Sequence, residues 1–143
     1  MTTHLIKLCV GCESVEDLAE SVERTAARKR REGAPPYYVH VTRMVPRRRE
    51  ALLDGGSLYW VIRGSVRARQ RLVAVDPFVD GEGVGRCRLV LEPEVVETAW
   101  QPRRPFQGWR YLSTGDAPPD QSEHETGDLP AAFAAELAEL GVL

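Results

Sequence analysis

The sequence predicts an α+β domain with a small, bent, mostly antiparallel sheet or open barrel and flanking helices. Three observations carry this. Two strand patterns follow one another around Gly64, runs of strands dominate the later part of the chain, and a capped helix precedes them. The central stretch runs from Gly55 to Phe78. It opens with a Gly-Gly turn, gives an apolar run from Leu58 to Ile62, turns at Gly64, and then alternates Arg67, Arg69 and Arg71 with Ala68, Gln70 and Leu72. The first of these strands reads as buried on both faces, the second as half-exposed with an arginine edge.

The remaining elements follow in order. His4 to Val10 alternates as a first strand, and Gly11 ends it. Ser14 is the N-cap of a helix over residues 15–31, with Asp17 three residues on as in a capping box. Val15, Leu18, Ala19, Val22 and Ala26 recur at helical spacing. The helix closes on Arg28-Lys29-Arg30-Arg31, whose charges complement its dipole. Pro35-Pro36 forces an extended entry into a strand over Tyr37–Arg43. A short helix follows Pro46 and stops before Asp54. After the central pair, the glycine-rich turn near residue 80 leads to a returning strand over Arg86–Val96. If Val75 faces Arg86, then Arg69 faces Glu92 and Arg67 faces Glu94 as cross-strand ion pairs; a slip of two residues leaves the arginines freer. The four prolines among residues 100–119 predict an irregular, aromatic-rich segment, either a core plug or a binding loop. The domain is expected to span 1–115, with an acidic, flexible linker over 116–129 and a terminal helix over 130–143 that docks back through Phe133, Leu137 and Leu140.

At 143 residues, 43% hydrophobic and 28% charged, the chain has the make-up of one folded domain. No window approaches a membrane span of about 18 apolar residues, and the N-terminus lacks the pattern of a signal peptide, so a cytoplasmic location is expected. The net charge of −2 hides a segregation: residues 24–110 hold 18 Lys and Arg against 9 Asp and Glu, whereas residues 111–143 hold seven acids and no base. A basic body with an acidic tail points to a polyanionic partner, or to a tail that neutralises the body.

No motif of catalysis or cofactor binding stands out. Cys9 and Cys12 form a CxxC where a strand gives way to a helix, the place a redox or metal site would need. No second close pair of zinc ligands exists, and a reducing compartment would keep the three cysteines as thiols. No metal and no cofactor are expected. His40 lies between two valines of a strand, where a histidine serves structure more often than catalysis. The remaining constellation is basic and aromatic. Arg43, Arg63, Arg67 and Arg69, with Arg103, Arg104 and Arg110 of the late segment, offer phosphate contacts, and Trp60 or Trp109 offers a ring on which an unpaired base can stack. Three readings follow. The first is a module that binds RNA or a modified nucleotide. The second is an enzyme acting on a small anionic substrate, with His40 as acid or base and Arg43 as anion clamp. The third is a protein-interaction module whose aromatic loop, residues 100–112, docks on a partner.

The phrases HLIKLCVG, HVTRMVPRR, LLDGGSLYWVIRG, RQR and RRPFQGWRYL resemble the uncharacterised bacterial proteins catalogued as domain of unknown function 1489, over nearly the whole chain. That resemblance implies no activity, cofactor or site residue. In expected architecture the chain is also similar to the PUA-like domains, including the ASCH and EVE types, and this likeness implies RNA or modified bases as ligands.

Overall fold

Seven strands and two helices, in the order β1 (Thr3–Leu8), α1 (Val15–Arg31), β2 (Tyr38–Thr42), α2 (Arg49–Leu53), β3 (Ser57–Ile62), β4 (Ser65–Val79), β5 (Gly85–Leu91), β6 (Val96–Pro102) and β7 (Trp109–Ser113), build a mixed α+β fold in the computed structural model, which describes residues 1–121. The sheet runs β2-β5-β4-β3-β1-β7, and β6 also pairs with β4. β1 and β3 pair in parallel and the other pairings are antiparallel. The sheet is not closed. The expected terminal helix and most of the expected linker lie outside the described residues.

Local chemistry explains the elements that anchor this sheet. In α1 the Ser14 hydroxyl accepts from the Asp17 backbone N–H at 3.2 Å, and the Asp17 carboxylate accepts from the Glu13 N–H at 2.9 Å. The cap is therefore reciprocal, but its return bond reaches one residue further back than in a standard capping box. Leu18, Val22 and Ala26 form the buried stripe of α1. β3 is buried along its whole length. Leu58 and Trp60 enter a core with Leu5, Leu18, Leu52 and Leu89, while Tyr59 and Val61 enter a second cluster with Ile6, Val66 and Leu112 on the other face. An apolar strand without alternation fits a sheet covered on both sides. Gly56 is required by close approach: a Cβ there would collide with the carbonyls of Leu52 and Thr3 where α2 enters β3.

Three expectations are corrected. β4 is a long central strand with no free arginine edge: β3 and β6 flank its first half and β5 pairs with its second. The register differs by three residues at Val75, and by four at Arg69, from the one that pairs Arg69 with Glu92. Val75 faces Leu89, Arg69 faces Val96, and Ala68 faces Glu97. The returning strand is also interrupted, because Pro93 lacks a donor and the ladder resumes only at Val96. Finally, residues 100–119 are not irregular throughout. Trp100 to Pro102 complete β6, and β7 adds antiparallel to β1 with Leu5 opposite Tyr111. Pro102 is accepted at a strand end and Pro105 lies between strands, so neither breaks the ladder. Beyond β7, Asp120 bridges Thr98, and the Ala99 N–H donates to the Pro119 carbonyl at 2.9 Å. Residues 116–121 thus lie along the sheet.

Candidate functional site

Two places gather chemistry-bearing side chains: the β3–β4 hairpin, and a cleft between α1 and β2. At the hairpin, Ile62 pairs with Ser65 across the two-residue turn Arg63-Gly64, with φ of 50° and 81°. Both central residues at positive φ suit a tight hairpin, in which Asn-Gly is the favoured pair. Arg63 is the one non-glycine residue at positive φ among the described residues. Its conformation costs about 1 kcal/mol relative to a residue that tolerates it.

β6 runs beside this turn and brings Trp100 under Arg67, whose guanidinium lies 3.7 Å from the indole centroid. Arg67 sits where the β4–β6 register shifts, between Val66 and Ala68. Its Nη2 reaches the Arg63 carbonyl at 3.5 Å, and its buried Nε has no hydrogen-bond partner. Burial, and then the charge of Arg63, push the Arg67 pKa below its ordinary value. Arg103 joins them: its N–H donates to the Gly64 carbonyl at 2.8 Å, and its guanidinium is held by Gln101. Arg104 follows, exposed. Glu13 is the carboxylate that reaches this cluster, through Arg63, in an exposed pair.

The other expected site residues disperse. Trp60 is 2% exposed, and its Nε1 donates to Gln70 at 3.0 Å; Trp109 is 8% exposed and donates to the Met44 carbonyl at 2.8 Å. Both are core residues, so neither can stack a base. Their burial follows from facing α1 and α2 across the sheet, which the flanking arginines do not reveal. Arg69 makes a bidentate pair with Asp120, both contacts 2.7 Å, and also reaches Ser57. Arg110 lies over Phe106, which packs on the second core cluster. Phe106 and Trp109 therefore do not form an exposed aromatic pair. Arg43 is exposed beyond β2 and does not line the cleft of His40.

That cleft, about 440 Å³, is lined by Cys9, Cys12, Arg24, Tyr38, His40 and Trp60 among others. His40 stands edge-on to Trp60 at 5.2 Å, and its Nε2 is buried without a partner. Burial, then the Lys7 charge, push its pKa down to about 4. At neutral pH the ring is an acceptor through one nitrogen and does not serve as a proton donor in the imidazolium form. The charge that acts on it is that of Lys7, whose own pKa is lowered by burial, and the arginine that lines the cleft is Arg24, not Arg43. Sequence reasoning missed Trp100 and Lys7 as site residues. Trp100 could be read only as part of an aromatic-rich segment, and Lys7 only as the polar position of an alternating strand.

Residues 5–143 match the family described as Protein of unknown function (DUF1489). The chain belongs to this family. No curated protein and no solved structure matches it. The DUF1489 chain described here has no helix, among its described residues, long and apolar enough to cross a membrane. No cluster of three His, Cys, Asp or Glu residues among them could hold a metal ion.

Proposed function

We propose that this DUF1489 protein binds single-stranded RNA or a nucleotide at the β3–β4 hairpin. Arg63, Arg67, Arg103 and Arg104 would hold phosphate, and the guanidinium of Arg67, over the Trp100 ring, would carry an unpaired base. The reading rests on one observation: Arg67 stacked on Trp100 beside the like charge of Arg63, with an unpartnered Nε. Guanidinium planes and indoles are the surfaces on which splayed bases stack, and clustered cations gain from phosphate what they lose by mutual repulsion. This replaces Trp60 and Trp109 as the stacking residues and leaves Arg69 out, because Asp120 already neutralises it.

The test is binding of the full-length protein to mixed-sequence single-stranded RNA at two salt concentrations. Affinity is expected to fall steeply with salt through counterion release. Arg67→Ala and Trp100→Ala are each expected to weaken binding by about 1–3 kcal/mol, while Arg31→Ala at the end of α1 changes it little. Absence of binding at low salt, or equal effects from all three variants, would refute the reading.

A further inference from the structure

The hairpin reading leaves the cysteines unused. Cys9 follows β1 directly and Cys12 lies two residues before the α1 N-cap, joined by a tight turn in which the Cys12 N–H donates to the Cys9 carbonyl at 3.3 Å. Their sulfurs are paired as a disulfide, with Cα atoms 5.6 Å apart, whereas Cys87 is free and buried. Val10 and Gly11, between the two, are exposed, and both cysteines are half-buried on the wall of the cleft that holds Tyr38, His40 and Trp60. A sealed structural cross-link would sit away from solvent and close a long loop. This one closes a loop too short to stabilise the fold much and faces an open cleft.

We propose that Cys9 and Cys12 form a redox-active pair that exchanges with small thiols entering this cleft. The thiolate of a small thiol attacks one sulfur of the pair. The Cys9–Cys12 bond breaks, its electron pair remains on the departing cysteine sulfur, and that sulfur takes a proton from solvent. A second small thiol, as thiolate, attacks the small-thiol sulfur of the mixed disulfide. The mixed disulfide bond breaks, a small-molecule disulfide is released, and the second cysteine sulfur leaves with the electron pair and takes a proton from solvent, so both cysteines are thiols and two electrons have passed to the protein. The reverse sequence oxidises the pair. The cleft, lined by both cysteines with Tyr38, His40 and Trp60, supplies access for a small thiol.

The experiment equilibrates the native full-length protein with mixtures of reduced and oxidised glutathione, quenches with acid, and counts alkylated cysteines by mass. A linear peptide spanning Leu8–Ser14 serves as the reference. The protein is expected to gain and lose two labels together, on Cys9 and Cys12, with Cys87 unreactive. Its half-oxidation point should be displaced at least about tenfold towards the disulfide relative to the peptide, because the fold holds the two thiols close. Cys12→Ser and Cys9→Ser should each trap glutathione on the remaining cysteine under native conditions. A pair that is reduced only once denaturant unfolds the protein is a sealed cross-link, and that result overturns the proposal. So does a titration that coincides with the peptide's. Neither outcome bears on RNA binding, and the wild-type titration requires no variant to fold.

Discussion

Gln70 is fully buried on the central strand, yet both ends of its amide are used: Oε1 accepts from Trp60 Nε1, and Nε2 donates to the Glu92 carbonyl at 2.9 Å. Gln70→Leu keeps the volume and orphans both partners, so it is expected to lower stability by about 1–3 kcal/mol in urea unfolding. Arg63 gives the opposite case. Asn tolerates positive φ, so Arg63→Asn is expected to stabilise the protein by a few tenths to about 1 kcal/mol while weakening RNA binding; a variant that loses stability would show that the turn is not strained. His40 sets a pH dependence. Its folded pKa of about 4 lies below the ordinary 6.5, so between those values the unfolded chain takes a proton that the folded one refuses. Stability is whole above pH 6.5, falls as pH drops through that window, and the loss is complete below about 4. The full shift corresponds to at most about 3 kcal/mol, and to about 1–2 once the solvent reaching the half-buried ring is counted. His4, lowered by burial and by Arg69, acts in the same direction. Urea midpoints at pH 7 and pH 4.5 check this, and His40→Phe should flatten the difference.

Among the elements, β7 shows most clearly that an aromatic segment can be core. Trp109 fills the main cluster from a strand that also carries the exposed Tyr111, whose hydroxyl accepts from the N–H groups of Arg47 and Arg48 at 2.9 and 3.0 Å. Trp109→Ala is expected to cost about 3–5 kcal/mol, read by thermal or urea unfolding. A ligand-stacking tryptophan at the surface would cost far less, so a change under about 1 kcal/mol would remove Trp109 from the core. The helices were legible beforehand, since the Ser14 cap and the apolar spacing of α1 are local features. The strands after Val96 were not, because proline content speaks against regular structure only where the missing N–H is needed, and at a strand end it is not.

At the scale of the molecule, charge is arranged in local pairs that composition could not show. Arg63, Arg69, Arg86 and Arg88 of the basic body each meet a carboxylate, so the cluster around Arg67 has Glu13, on Arg63, as its counter-charge in an exposed pair. Residues 122–143 carry five acids and no base. A version ending at Gln121 is therefore expected to bind RNA more tightly, several-fold at low salt and not at high salt, since exposed charges separated by more than about 10 Å are screened. A version ending at Ala117 also removes Asp120 and its pair with Arg69, and should melt lower by an amount equivalent to about 1–3 kcal/mol. Equal melting of the two would place Asp120 outside the fold.

By itself the sequence determined the α+β class, the family, the position of α1 and its cap, the fully buried β3 and the turn at Gly64. These are set by short-range periodicity, capping and turn chemistry, all readable along the chain. Tertiary structure alone decided the shift of β4 against its return, three residues at Val75 and four at Arg69, which changes across two register irregularities. It also decided that Trp60 and Trp109 face the core while Trp100 lies under an arginine, and that Asp120 rather than Glu92 neutralises Arg69. Register is a property of two strands at once and is fixed by which whole face is buried. A side chain's partner is fixed by that register, so neither can be read from one strand's residues.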